Sequence, residues 1–167
     1  MKSLTIAILA LSLCSTPFSL ADNHTGAKQQ ETLKYIEFSQ IGDPADVLEV
    51  KEESSRPLKS GEVRVAVLAS PINPSDLLQI AGKYGVDPVL PSNPGSEGVG
   101  RVLEVSAEVK HLTVGQMVLL ASGGTWRDEI VAPAAGFLPL PNLGPLESSV
   151  IEQLAMSAVN PLTALLM

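Results

Sequence analysis

The sequence has few of the residues that build metal centres and disulfides. Its 167 residues include one cysteine, Cys14, and two histidines, His24 and His111. One cysteine cannot form an internal disulfide, and these side chains are too few for a zinc site made from thiolates or imidazoles. We therefore predict a chain without zinc and without any other metal site.

Positive charge is also scarce. Eleven Lys and Arg residues stand against 18 Asp and Glu, and the formal net charge is −7. No stretch of the chain concentrates lysine and arginine, as nucleic acids and anionic membrane surfaces require of a partner. We predict that the protein does not bind nucleic acid.

Long hydrophobic runs are absent except at the N-terminus. Lys2 precedes a nearly unbroken apolar stretch over 4–14, and the small-residue sequence Ser19-Leu20-Ala21 follows it. The stretch is shorter than the roughly 20 residues that cross a bilayer, so we predict no stable membrane insertion. The pattern is typical of a signal peptide, residues 1–21, and of export to the periplasm. A retained anchor and the first strand of a folded domain are the alternatives.

After a polar stretch over 22–32, predicted to be a flexible leader, short β-prone runs alternate with glycine and proline turns. Their spacing of about ten residues is typical of a β-barrel or sandwich, which predicts one domain over 33–145. The fold class is therefore mainly β with short helices (α+β). The predicted strands cover 34–38, 47–50, 62–68, 99–105, 116–120, 126–131 and 137–140.

Helical patterns are short. Asn73-Pro74 is a typical helix entry and predicts a helix over 75–81, and a second helix is predicted over 147–155. Residues 146–167 form a C-terminal helical segment whose end is apolar, with Leu162, Leu165, Leu166 and Met167. Because neither charge nor a glycine cap finishes this segment, we predict either a protein partner that covers it or poor solubility.

The glycines Gly95, Gly98 and Gly100 resemble a phosphate loop only superficially. Their spacing is the reverse of the dinucleotide fingerprint, and the segment after them predicts a strand where that fingerprint requires a helix. We interpret them as a tight turn in which glycine lets two backbones approach closely.

Several motifs, in this order and spacing from residue 34 to the C-terminus, closely resemble the N-terminal domain of the zinc-free medium-chain dehydrogenase/reductases. Within that family, the chain is most similar to quinone oxidoreductases and trans-2-enoyl thioester reductases. The motifs are Ile72-Asn73-Pro74-Ser75-Asp76, Tyr84-Gly85, the 95–100 segment, Val114-Gly115-Gln116-Met117-Val118, Gly124-Thr125-Trp126 and Asn160-Pro161-Leu162-Thr163-Ala164.

The resemblance implies a GroES-like β-barrel, the substrate-side domain of an NADPH-dependent enzyme. It also implies that Tyr84 is the catalytic proton donor: after hydride reaches the β-carbon of an enoyl thioester, the tyrosine or a water that it orders protonates the α-carbon of the enolate. A neutral phenol suits this task because an enolate is basic enough to take its proton. The alternative is a loop tyrosine whose ring packs on the barrel.

Four further residues gain roles from the resemblance. Asn73 and Thr163 are similar to residues that contact the nicotinamide side of the cofactor, while Trp126 and Asn160 are similar to residues of the substrate pocket. The structural alternatives are that Asn73 only begins a helix, that Thr163 only lies in one, and that Trp126 belongs to the core.

The sequence contains no G-x-G-x-x-G turn, so the pyrophosphate-binding Rossmann domain of such enzymes is absent from these residues. We therefore expect a substrate-side domain that does not transfer hydride alone and whose substrate, in a complete enzyme, is an enoyl thioester or a quinone. One alternative is a stand-alone exported barrel that binds a small apolar ligand or a protein without catalysis, and another is a degenerate gene product.

Overall fold

A computed structural model describes residues 32–121 and 123–167, which fold into seven β-strands and four short α-helices. The predicted signal peptide and all but the last residue of the predicted leader lie outside the described residues. The strands are β1 (Thr32–Glu37), β2 (Glu49–Ser54), β3 (Glu62–Ala69), β4 (Gly98–Val105), β5 (Met117–Leu120), β6 (Glu129–Pro133) and β7 (Phe137–Pro139). The helices are α1 (Pro44–Val47), α2 (Pro74–Ile80), α3 (Ser148–Ala155) and α4 (Val159–Leu166).

Two antiparallel sheets form the domain. One has five strands in the order β6-β3-β4-β5-β7, and the other is the pair β1-β2. A bridge between Tyr35 and Arg127 joins them, and the backbone N–H of Ile36 donates to the carbonyl of Trp126 at 2.9 Å. This mostly β architecture, with a curled sheet and a few short helices, confirms the predicted fold class.

The main core is centred on β3 and β4, which are neighbouring antiparallel strands of the larger sheet. Val63 and Val65 of β3 and Val102 of β4 are fully or almost fully buried, because alternate side chains of a strand point to the same face. A second, smaller cluster of Phe38, Val47 and Ile80 fixes the two helices α1 and α2 beside β1.

Three local predictions need correction. The predicted strand over 47–50 is the end of α1 and the start of β2, because the Asp43 side chain caps the backbone N–H of Ala45 and proline occupies the first helical position. The strand predicted to start at Trp126 starts at Glu129. Asn160-Pro161 predicts a last segment that follows the proline, but helix α4 begins at Val159, since proline is tolerated in the first turn of a helix. None of the helices in the described ranges is long and apolar enough to cross a membrane.

Glu62, at the start of β3, has a carboxyl group whose pKa is strongly lowered by its hydrogen-bond partners. Arg56 donates two hydrogen bonds to its carboxylate, at 2.7 and 2.8 Å, and the backbone N–H of Lys59 donates a third at 2.8 Å. The Arg56 hydrogen bonds, followed by the Lys59 N–H, lower the pKa of Glu62 from its ordinary 4.5 to about 2. The charged form is thus favoured by folding.

We predict an acid-sensitive contribution to stability from this carboxylate. A lowered native pKa means that the contribution is complete above pH 4.5 and is lost as the pH falls from 4.5 to about 2. Glu62→Gln should therefore flatten the free energy of unfolding against pH in that interval, as measured by urea denaturation. The exposed Glu108→Gln is the control and should keep the slope of the unmodified chain, and an unchanged slope in Glu62→Gln would contradict the assignment.

Candidate functional site

An open, mainly apolar cleft lies beside the C-terminal end of β3. Its volume is about 570 Å³, within the range of small-molecule sites. The β1-β2 pair forms one side of the cleft, and the end of β3 with the loop before β6 forms the other. Its walls include Ile36, Val50, Val67, Ile72, Thr125 and Trp126.

Trp126, the only tryptophan of the chain, is held in the wall of this cleft. Its indole Nε1 donates to the carbonyl of Pro71 at 3.0 Å, and its ring packs against the smaller core cluster of Phe38, Val47 and Ile80. The ring is half-buried. Trp126 therefore serves both as a packing residue and as a cleft residue, and the two interpretations from the sequence are compatible.

Ser70 and Thr125 contribute two hydroxyl groups to the cleft, whose lining also includes Glu49 and Arg127. Ser70 Oγ and Thr125 Oγ1 lie 2.7 Å apart, and each lies 2.9 Å from the main-chain carbonyl oxygen of Glu97. Two hydroxyl protons serve these three short contacts, so both protons are engaged within the protein. The pair fixes the Glu97 backbone beside the cleft.

The side chain of Glu97 is the centre of a buried polar cluster. The residue is 1 % exposed, and its Oε1 accepts a hydrogen bond from Asn73 Nδ2 at 3.0 Å. Its Oε2 accepts from the backbone N–H groups of Ala158 and Val159, at 3.0 and 2.8 Å, where α4 begins. Sequence reasoning missed this residue. The available signal was a single acidic side chain between glycines at the start of an apolar strand.

Asn73 connects the cleft to this cluster. It follows Ile72 of the cleft wall, is 5 % exposed, and occupies the position before α2. Its backbone N–H donates to the Asp76 carboxylate at 2.9 Å, which fixes the entry of the helix. The side-chain amide points to Glu97 and, at 3.5 Å, to the hydroxyl of exposed Ser96.

Of the predicted site residues, Trp126 lines the cleft, whereas Asn73, Tyr84, Asn160 and Thr163 do not. Tyr84 lies on the turn after α2 and is 54 % exposed. Asn160 and Thr163 lie on α4 and are exposed, and the Thr163 hydroxyl donates to the Val159 carbonyl at 2.8 Å within the same helix. The functional roles of all three remain predictions. In the two described ranges, no group of three His, Cys, Asp or Glu side chains could hold a metal ion.

The glycines of the 95–100 segment allow close backbone approach, as the sequence analysis interpreted them, and the strand β4 follows them. Gly95 has φ +99°, and a Cβ there would lie 2.6 Å from Trp126 Cδ1 and 3.0 Å from the Thr125 backbone nitrogen. A Cβ at Gly98 would lie 2.8 Å from the Ala69 carbonyl oxygen. Side chains at these positions would displace the residues that form the cleft.

Comparison with known proteins places this arrangement in a family. The pattern of the alcohol dehydrogenase GroES-like domain matches residues 59–142. Human mitochondrial enoyl-[acyl-carrier-protein] reductase is 36% identical over 159 residues, which cover 94% of this chain and 41% of the relative.

Solved structures agree with this match. A putative NADPH:quinone reductase from Bacillus thuringiensis is 39% identical with a TM-score of 0.70, over 81% of this chain and 40% of that one. A complex of Etr1p with NADP and crotonyl-CoA is 32% identical with a TM-score of 0.72, over 82% of this chain and 43% of that one. The chain thus spans about two fifths of the length of these relatives. It belongs to the alcohol dehydrogenase GroES-like domain family, within the medium-chain dehydrogenase/reductases.

Proposed function

We propose that this domain is the substrate-side part of an NADPH-dependent oxidoreductase that reduces 2-enoyl thioesters or quinones. The names of the relatives support this assignment, since they describe an enoyl reductase, a quinone reductase and a complex with crotonyl-CoA. The sequence of 167 residues has no G-x-G-x-x-G turn, so these residues on their own should not oxidise NADPH. The apolar side chains exposed on α4 provide a surface for the nucleotide-binding part.

The mainly apolar lining of the cleft is the main support for this function. Its mainly apolar walls match an acyl chain or the hydrophobic part of a quinone, and Glu49, Ser70, Thr125 and Arg127 supply its few polar groups. Predominantly apolar walls with a few fixed polar groups are typical of sites that bind small organic molecules. Asn73 follows Ile72 of the cleft wall, and its side-chain amide donates to the Glu97 carboxylate.

Asn73 and Thr163 would play different hydrogen-bonding roles toward the cofactor. NADPH, when bound, supplies the hydride. Asn73 Nδ2 has two protons, of which one is held by Glu97 and the other only by the long 3.5 Å contact to Ser96, so it can donate to a carboxamide or carbonyl oxygen. The proton of the Thr163 hydroxyl is used within α4, so Thr163 would serve as an acceptor.

Tyr84 would complete the reduction as the proton donor. When hydride adds to the β-carbon of an enoyl thioester, the electron pair of the double bond moves toward the carbonyl and an enolate forms. The Tyr84 hydroxyl then gives its proton to the α-carbon, and water returns a proton to the tyrosinate. The Tyr84 side chain is exposed on the turn after α2, so its hydroxyl is accessible to a bound partner molecule.

Fluorescence of the only tryptophan tests the cleft directly. Titration of the full chain with a medium-chain trans-2-enoyl thioester should change Trp126 emission in a saturable way, because the ring lines the cleft. Ile72→Asn, in the same wall and 67% exposed, should raise the Kd by about tenfold, since it places an amide against the acyl chain.

The matched control is Val89→Asn. Val89 is also apolar and is 87% exposed, but it lies outside the cleft lining, so its substitution should leave the Kd unchanged. Absence of saturable binding, or an equal Kd in Ile72→Asn and the unmodified chain, would show that the cleft does not hold the acyl group.

A further inference from the structure

The carboxylate of Glu97 accepts hydrogen bonds from two separate elements. Oε1 accepts from the side chain of Asn73, and Oε2 accepts from the backbone N–H groups of Ala158 and Val159. All three partners are donors, and only an acceptor on both oxygens satisfies them together. An ionised carboxylate meets this condition, and an amide does not.

The first consequence concerns the orientation of the Asn73 carboxamide. Asn73 Oδ1 facing the carboxylate would place two acceptors against each other, so Glu97 selects the orientation in which Nδ2 faces Oε1. The second Nδ2 proton is then directed toward the exposed Ser96 side. Glu97 thereby determines that Asn73 presents a donor rather than an acceptor to the surface of the domain.

The second consequence concerns helix α4. The helix has no buried residue, and its N-cap position, Ala158, provides no side-chain cap. The first N–H groups of a helix have no partner within it, and here Glu97 accepts two of them. The negative charge also lies at the positive end of the helix dipole. This carboxylate therefore orients a helix that buries no side chain of its own.

We propose that Glu97 is a positioning residue that sets the Asn73 donor and the first turn of α4 in one arrangement. The site that it would organise comprises Asn73 together with Asn160 and Thr163 of α4. The inference rests on the proposed function only where it treats these residues as parts of a cofactor and substrate site. The two hydrogen-bonded contacts exist independently of any ligand.

The discriminating variant is Glu97→Gln in the full chain, examined by NMR without ligand. Glutamine keeps the shape but has one acceptor oxygen, so it can serve Asn73 or α4 and not both. We expect either the amide protection factors of Ala158 and Val159 to fall by about tenfold or more, or the Asn73 side-chain resonances to move to those of a solvated amide. Protection of Val65 and Val102 in the core strands should be retained.

Glu108→Gln, which removes an exposed charge, is the control and should alter neither signal. Retention of both signals in Glu97→Gln would overturn the proposal, and so would a uniform loss of protection across the barrel, which indicates a purely structural role.

If the variant does not fold, amide exchange in the unmodified chain provides the test. Its Ala158 and Val159 amides should exchange more slowly than the amide of Asn160 in the same turn, and equal rates would overturn the proposal. The thioester titration of Trp126 tests the function separately.

Discussion

Replacing Gly95 with alanine should lower the free energy of unfolding by about 3 kcal/mol, through backbone strain of about 1 kcal/mol and a steric clash of about 2 kcal/mol. Gly95 has φ +99°, and the added Cβ would contact Thr125 Oγ1, Trp126 Cδ1 and the Thr125 backbone nitrogen too closely. Because the obstruction includes backbone, rotation of one side chain cannot relieve it. Urea denaturation followed by circular dichroism measures the loss.

Gly115→Ala separates the two contributions. Gly115 also has a positive φ, +86°, but a Cβ there would meet nothing within 4 Å. This control should therefore lose only the strain contribution of about 1 kcal/mol. Equal losses in the two variants would show that the close approach of Gly95 to the loop before β6 is unimportant for stability.

Tyr84→Phe should lower kcat by about 10²-fold in an enzyme in which this chain replaces the matching part of human mitochondrial enoyl-[acyl-carrier-protein] reductase. The substitution removes the phenolic proton and leaves the ring. Since the donor acts after the substrate has bound, KM should change little. The measurement is steady-state NADPH oxidation with a trans-2-enoyl thioester.

The chain offers a matched control because it has only two tyrosines. Tyr35 lies in β1 with the Arg127 guanidinium 5.1 Å from the centre of its ring, so Tyr35→Phe retains the packing surface and should retain kcat. The 167-residue chain alone should show no NADPH oxidation above background. Full activity in Tyr84→Phe would show that this residue is not the proton donor. Activity of the chain alone would contradict the proposal that a separate nucleotide-binding part is needed.

The sequence was sufficient for the fold class because turns and strands leave local signals. The strand predicted over 62–68 is β3, in which Val63, Val65 and Val67 alternate, and Asn73-Pro74 predicted the entry of α2. Local signals failed where a competing local rule applied, as at Asp43-Pro44, where capping and proline start a helix whose last residue, Val47, was predicted to begin a strand.

Buried polar contacts between distant residues could not be predicted. Arg64 alternates with Val63 and Val65 along β3, yet it is 7 % exposed and pairs with Glu104 at 3.1 Å and Glu129 at 3.3 Å. Glu97 contacts Asn73 and residues more than 60 positions later in the chain. Alternation assigns a residue to a face, but the partners that make burial of a charge tolerable come from other elements.

The contacts of Glu97 also restrict which mutations this chain can accept. Its main-chain carbonyl binds Ser70 and Thr125 while its carboxylate binds Asn73 and the start of α4. A single nucleotide change in a glutamate codon gives Asp, Gln, Lys, Ala, Gly, Val or a stop codon. Aspartate is one methylene shorter, glutamine lacks an acceptor, lysine replaces acceptors with donors, and the remaining residues have no polar side chain. None of the amino-acid replacements that a single nucleotide change makes at codon 97 is therefore neutral, and random mutagenesis followed by selection for the folded chain should recover glutamate there.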